Sequence, residues 1–210
     1  IPVAEQSGII ESIGRWALFS AAEHLARWAP QFGVYVSINL AARDFLKDDL
    51  AEVLIAALKR AGALKPAFLK LEVTESQCML DPEDTISRMS RLASEGFELF
   101  VDDFGTGSSS LGYLKRLPAG TIKIDRLFVE ESVASPEDLD YLKNIVSIVR
   151  SRRKAVILEG IETPAQYDLL RRLEIDGMQG FHFSRPLTTA QMDELLTSGA
   201  CLPVGRQAPA

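Results

Sequence analysis

Apolar residues along this chain follow two alternating rhythms, short β-rich runs and longer stretches with helical periodicity. Ser7 to Trp28 reads as an amphipathic helix with Ile9, Ile10, Ile13, Trp16, Ala17 and Leu25 along one side. Val34–Leu40 is a β-rich run, followed by a helical pattern over Asp48–Ala61 that Gly62 stops. Phe68–Val73 predicts the next strand, and Asp81-Pro82 predicts an N-cap and first turn for a helix reaching Ser94. Phe97–Val101 is a third strand, followed by a Gly/Ser-rich loop, a short apolar helix and a fourth strand at Thr121–Ile124. Ser135-Pro136 opens a helix to Arg152, Ala155–Leu158 is a fifth strand, and Thr163-Pro164 opens another helix. Met178–Phe183 is a sixth strand, and Thr188 or Thr189 caps a last helix ending near Gly199. Strands separated by helices in this way imply parallel pairing through right-handed crossovers. No composition break divides the chain, so one domain is expected over residues 1–199, with a disordered tail at 200–210.

Composition narrows the function classes. The chain has 210 residues and a net charge of −6. That sign disfavours a duplex-DNA or RNA binder relying on phosphate neutralisation, but not a small phosphorylated ligand held through metal ions. No apolar run approaches the roughly 20 residues of a membrane span, so no membrane contact is expected from this segment. Cys78 and Cys201 have no metal or redox spacing and read as reduced thiols of a cytoplasmic protein, or of the cytosolic part of a membrane-attached parent.

The chemistry lies where the strands end. Strand one ends in Ser37-Ile38-Asn39, strand two in Leu71-Glu72-Val73-Thr74-Glu75, and strand three in Val101-Asp102-Asp103. Strand four ends in Ile122-Lys123-Ile124-Asp125, strand five in Leu158-Glu159-Gly160-Ile161-Glu162, and strand six carries Met178-Gln179-Gly180. A β/α barrel builds its active site at these C-terminal ends. A polar residue at one strand end merely begins a loop; the same in all six describes a pocket of hard oxygen donors suited to Mg²⁺ or Mn²⁺. Adjacent strand residues point to opposite faces, so Asp102 and Asp103 reach one site only if the strand ends or bulges between them. Gly105 and Gly107 in the following Phe104-Gly105-Thr106-Gly107 allow such a turn. Paired carboxylates of this kind can hold two cations roughly 3.5–4 Å apart for phosphodiester hydrolysis. Lys123 and Asp125 share a face; the lysine could orient water or neutralise phosphate, or form a structural ion pair.

These segments, with Phe183-Ser184-Arg185-Pro186 and the opening Pro2–Ile10, resemble in order the motifs of EAL domains from about Ile1 to Leu196. The resemblance implies a TIM-like (β/α) barrel that hydrolyses cyclic di-GMP to linear pGpG with two Mg²⁺ or Mn²⁺ ions in bacterial signalling. It implies Asn39, Glu72, Asp102, Asp103 and Glu159 as metal ligands. It further implies Lys123 and Gln179 at the nucleophilic water, and Glu75 as the anchor of the loop around Phe104–Ser110. Asp125 and Glu162 look like acids that steady the ligands.

Ser108 departs from the aromatic residue common at its position. The Glu-Ala-Leu motif and the arginine after it are expected ahead of Ile1. Glu52-Val53-Leu54 imitates that motif but sits within a helical pattern. The barrel is therefore expected to be incomplete and truncated at its N-terminus, with about six of eight strands. The intact parent is expected to be an active phosphodiesterase and this stretch, lacking one metal-ligand glutamate, a much weaker one. Other signalling domains in the parent and a homodimer are compatible with this reading. The alternative is an inactive EAL-like domain that binds cyclic di-GMP as a receptor. The basic run Arg150, Arg152, Arg153 and Lys154 reads as a helix C-terminus, and His24 and His182 as structural.

Overall fold

A computed structural model describes residues 8–62, 64–106 and 111–199 of the chain. Helix α1 (Ile9–Phe32) leads to β1 (Val36–Asn39), the short α2 (Ala42–Phe45) and α3 (Leu50–Gly62). A 3-10 turn (Pro66–Phe68) enters β2 (Leu69–Thr74), which α4 (Glu75–Leu80) and α5 (Pro82–Ser94) follow. Next come β3 (Glu98–Phe104), α6 (Leu111–Leu114) and β4 (Thr121–Ile124). The rest is α7 (Arg126–Ala134), α8 (Pro136–Ser151), β5 (Ala155–Leu158), α9 (Pro164–Leu170), β6 (Gly177–Met178) and α10 (Thr189–Ser198). Ile1–Ser7, the loop residues 107–110 with Ser108, and the tail from residue 200 with Cys201 lie outside the described residues.

The described residues cluster into two compact units. The first holds the chain through Asp102 and the segment ending at Gly120; the second holds Asp103–Thr106 and the chain from Thr121 onward. In the first unit β1 and β2 are parallel, with Val36 opposite Leu69 and Asn39 opposite Glu72. β2 and β3 are likewise parallel, from Lys70 opposite Glu98 to Thr74 opposite Asp102. Side chains alternate across the strands, so Leu71, Val73, Leu99 and Val101 share one face and are buried. Burying each such side chain contributes roughly 1.5–3 kcal/mol. Lys70, Glu72 and Asp102 belong to the opposite face.

The second unit repeats this plan. β4 and β5 pair in parallel from Thr121 opposite Ala155 to Ile124 opposite Leu158, and Leu158 of β5 lies opposite Met178 of β6. Ile122, Ile124, Val156 and Leu158 form its buried face. Among the described residues β1 pairs only with β2, and β6 only with β5.

Caps set the helix starts as the sequence indicated. The side chains of Asp81, Ser135 and Thr163 accept backbone N–H groups of Asp84, Asp138 and Gln166 at 3.2, 3.0 and 3.2 Å. Thr188, rather than Thr189, caps α10 through the Gln191 N–H. Glu52 is an exposed residue of α3, 2.6 Å from Arg91, and Leu54 is buried, so Glu52-Val53-Leu54 is ordinary helix.

Three differences from the sequence reading have physical causes. Of the side of α1 expected to be apolar, Leu25 is buried, but Ile9 is 57 %, Ile13 45 % and Trp16 71 % accessible. The buried stripe is Leu18, Ala22, Leu25, Trp28 and Ala29, also at helical spacing, and the helix runs on to Phe32. Two apolar stripes coexist on α1, and periodicity alone does not say which one packs. The sixth strand ends at Met178, because the chain then turns: Phe183 N–H and Ser184 N–H both donate to Gly180 O, at 3.1 and 3.4 Å. Finally α2, α4 and α7 were not anticipated. Each begins within three residues of a strand's end, and α4 and α7 are capped by Thr74 and Asp125, so these two strand-end oxygens serve helix N-termini.

Candidate metal centre

In the first unit, the polar face of the sheet carries Asn39 on β1 next to Glu72 on β2, in direct register. Leu40 N–H donates to Glu72 O at 2.9 Å, which fixes that register where β1 ends. Glu72 is buried, 5 % exposed, which is uncommon for a carboxylate. Below it on the same face Lys70 Nζ meets Glu98 Oε2 at 2.5 Å, an ion pair that closes this face toward the N-terminal ends of the strands. Asp102, also buried, lies opposite Thr74. Thr74 ends β2 and caps α4 through a reciprocal capping box with Gln77. Gln77 Nε2 in turn donates to Leu40 O at 3.2 Å, tying α4 to the end of β1. Glu75, the first residue of α4, is 1 % exposed.

The second unit gathers Asp103, Lys123 and Glu159. Asp103 has a positive φ of 54°, so β3 kinks immediately after Asp102, two residues before it ends at Phe104. Left-handed backbone is tolerated by aspartate better than by most residues. Thr106 closes the turn, its N–H and hydroxyl both donating to Asp103 O, at 3.4 and 2.9 Å. This is the interruption that paired carboxylates on one strand require. Asp103 and Glu159 each offer a carboxylate oxygen, and these lie within 4.8 Å of one another. Lys123 Nζ lies 2.7 Å from Glu159 Oε1. Lys123 and Glu159 share a face because Lys123 is opposite Ile157, two residues before Glu159.

Gln179 continues the row. Its N–H donates to Leu158 O at 2.8 Å and its carbonyl accepts from Ile161 N–H at 3.0 Å, which holds it beside Glu159 although β6 has formally ended. It lines an open groove of about 950 Å³ with Tyr167, Arg171, Phe181, Phe183 and Arg185, none of which the sequence reading singled out for chemistry. The Arg185 guanidinium sits 4.9 Å from the Phe181 ring centroid.

The two acids read as supports have definite places. Asp125 caps α7, its Oδ1 accepting from Leu127 N–H at 2.9 Å. Glu162 is exposed, and its N–H donates to Gln166 Oε1 at 2.8 Å, within the capping arrangement of α9. Arg150 pairs with Asp176 at 2.7 Å, which accounts for part of the basic run structurally. His24 stacks on Trp28 and His182 on Tyr167, at 5.3 and 5.4 Å between ring centroids, as structural histidines do.

The donors in each unit are carboxylate and amide oxygens, hard donors of the kind that divalent cations take. The EAL domain model matches residues 1–186. The chain belongs to the EAL domain family. It is 38 % identical over 194 residues to the bifunctional diguanylate cyclase/cyclic di-GMP phosphodiesterase MucR of Pseudomonas aeruginosa, covering 91 % of this chain and 28 % of that protein. It is 37 % identical over 198 residues to the cyclic di-GMP phosphodiesterase NbdA of the same organism, covering 93 % of this chain and 25 % of that one. The chain thus spans about a quarter of the length of these relatives. A solved PaMucR phosphodiesterase in complex with c-di-GMP superposes with a TM-score of 0.86 at 38 % identity, covering 91 % of this chain and 78 % of that one. The fold class is accordingly the α/β, TIM-like (β/α) barrel of EAL domains, represented here by six parallel strands.

Proposed function

We propose that this EAL domain is a phosphodiesterase that hydrolyses cyclic di-GMP to linear pGpG. The observation that carries the reading is the pairing of buried Lys123 with half-buried Glu159 beside Asp103, in a chain that the EAL family model matches over residues 1–186. Asn39, Glu72, Asp102, Asp103 and Glu159 would hold two Mg²⁺ or Mn²⁺ ions; no zinc-type nitrogen or sulfur donor is among them. When bound, such ions polarise the phosphodiester and supply a nucleophilic water at neutral pH.

The chain's own residues do the rest. Lys123 donates hydrogen bonds to the attacking water or to phosphate oxygens, and Glu159 fixes the direction of that ammonium. Gln179 orients the same water from the neighbouring strand end. Glu75, buried at the start of α4, would anchor the loop after the paired aspartates, and Asp125, whose carboxylate caps α7, and Glu162, at the entry to α9, would support the site at one remove. The groove beside Gln179 offers ring faces and two guanidinium groups, which suit a guanine base and an adjoining phosphate. The length of the relatives supports a place within a longer signalling protein. Among the described residues no helix is long and apolar enough to cross a membrane.

The test is conversion of cyclic di-GMP to pGpG by the full gene product with Mg²⁺ or Mn²⁺, beside Lys123→Ala and Asp102→Asn. Metal-dependent turnover that both substitutions remove is the expected result. Tight binding of the dinucleotide with no turnover under either metal would overturn the enzyme in favour of a receptor.

A further inference from the structure

Two of the residues after strand ends have no room for a side chain, and both face the first turn of α7. A methyl group placed on Gly105 would overlap the Phe128 ring at Cε2 and Cζ. A methyl group placed on Gly160 would overlap Arg126 Cβ, with Arg126 Cα only 3.1 Å away. Gly105 has φ 101° and Gly160 φ 72°, backbone that side-chain-bearing residues seldom adopt. Gly105 follows Asp103 by two residues, and Gly160 follows Glu159 directly. The helix under both is itself fastened to this unit: Asp125 caps it through Leu127 N–H, and Asp125 N–H donates to Phe104 O at 3.4 Å. Phe128 is backed in turn by Tyr141 of α8, their ring centroids 6.1 Å apart.

We infer that Phe128 is a positioning residue for Asp103, its ring serving as the floor on which the Asp103–Thr106 turn rests. This rests on the phosphodiesterase reading. Asp103 adopts a left-handed conformation that persists only where its surroundings over-determine it. The Thr106 bonds close the turn from within, but they do not say where the turn sits relative to Glu159. The Phe128 ring does, because the Gly105 backbone lies against it. Shrinking the ring frees the turn to sink toward α7 and draws the Asp103 carboxylate away from the Glu159 oxygen now within 4.8 Å of it. Glu159 stays in place, since its own turn rests on Arg126 and its carboxylate on Lys123. The effect is therefore selective for what Asp103 holds.

The experiment measures Mn²⁺ binding by calorimetry and cyclic di-GMP turnover on the full gene product, with Phe128→Leu, Phe128→Tyr and Gly105→Ala. Phe128→Leu is expected to weaken one of two Mn²⁺ sites about 10–100-fold, as loss of a ligand's outer support does, and to lower kcat comparably with KM nearly unchanged. Phe128→Tyr keeps the ring and should restore both. Gly105→Ala, which disturbs the same contact while leaving the Phe128 side chain intact, should give the same pattern. Two Mn²⁺ sites of wild-type affinity in Phe128→Leu and Gly105→Ala, whatever happens to Tm, would overturn the positioning role alone. A wild-type protein that binds no Mn²⁺ would overturn the phosphodiesterase reading and this inference with it.

Discussion

Lys123 Nζ and Glu159 Oε1 are 2.7 Å apart, with side chains only 4 % and 16 % exposed. A buried pair of this kind is a weak source of stability, because desolvating both charges offsets most of their attraction. Removing one partner is another matter, since it takes the nearest opposite charge from the other, and for fully buried pairs that costs up to about 3–5 kcal/mol. Lys123→Ala is therefore expected to lower Tm and to reduce turnover by about 10²–10⁴-fold. If Glu159 is a metal ligand, added Mn²⁺ supplies the missing positive charge and narrows the Tm deficit. Thermal unfolding of both proteins with and without Mn²⁺ checks this; a deficit unchanged by the metal would count against Glu159 as a ligand.

Asp102 is buried at the last regular position of β3 before the break at Asp103. Asp102→Asn keeps the shape and removes the charge. Mn²⁺ affinity should fall by at least about tenfold, with little change in Tm when no metal is added. Calorimetric titration decides it, and an unaltered isotherm would remove Asp102 from the ligand set.

Much of this was legible in the chain itself. β4 and β5 lie where their β-branched runs place them, and a polar residue followed by proline marks the Asp81, Ser135 and Thr163 caps. The need for a break between Asp102 and Asp103 followed from strand alternation, and the break is there as a left-handed residue. What could not be read was which surface a given element meets. Ile9, Ile13 and Trp16 form as good a helical stripe as Leu18, Leu25 and Trp28, yet only the second is buried. The Gly105–Phe128 contact joins residues 23 positions apart in no repeating pattern, so no periodicity announces it. Cap chemistry also resembles site chemistry: Thr74 and Asp125 satisfy helix N-termini with the same oxygens that could serve a metal.

The two stripes of α1 give a direct comparison. Leu25 is fully buried, and Leu25→Ala should destabilise by about 3 kcal/mol through lost transfer energy and the cavity left behind. Trp16 is 71 % exposed, and Trp16→Gln should stay within about 0.5 kcal/mol. Urea unfolding of both variants measures the difference. Comparable losses would mean that the Trp16 side of α1 is covered.

Gly160→Ala tests how tightly the Glu159 turn is seated. The added methyl meets Arg126 at Cβ and Cα, atoms that a rotamer change does not move, and the φ of 72° is strained for alanine. Together these should cost roughly 2 kcal/mol or more. Chemical denaturation is the measurement, and a neutral substitution would mean that α7 yields easily.

Cys78 offers a test of burial that is independent of any ligand. It is fully buried on α4, and burial pushes its thiol from an ordinary 9.0 up to about 12, with the Glu75 charge adding to the shift. The reactive species is the thiolate, so at pH 8 its population falls roughly a thousandfold below that of a free cysteine, before access is considered. The folded protein holds this proton more tightly than the unfolded chain does. The stability so contributed is complete below pH 9.0 and is lost as pH rises through the folded value of about 12. In a Cys201→Ser background, which leaves Cys78 as the sole thiol, an aromatic disulfide reagent should react negligibly at pH 8. Adding urea should release the reaction along the same midpoint that circular dichroism reports for unfolding, because the fully buried Cys78 side chain is reached only when the packing around it is lost. Reaction in buffer at the rate of a small free thiol would mean that α4 frays locally and that Glu75 beside it is not held as described.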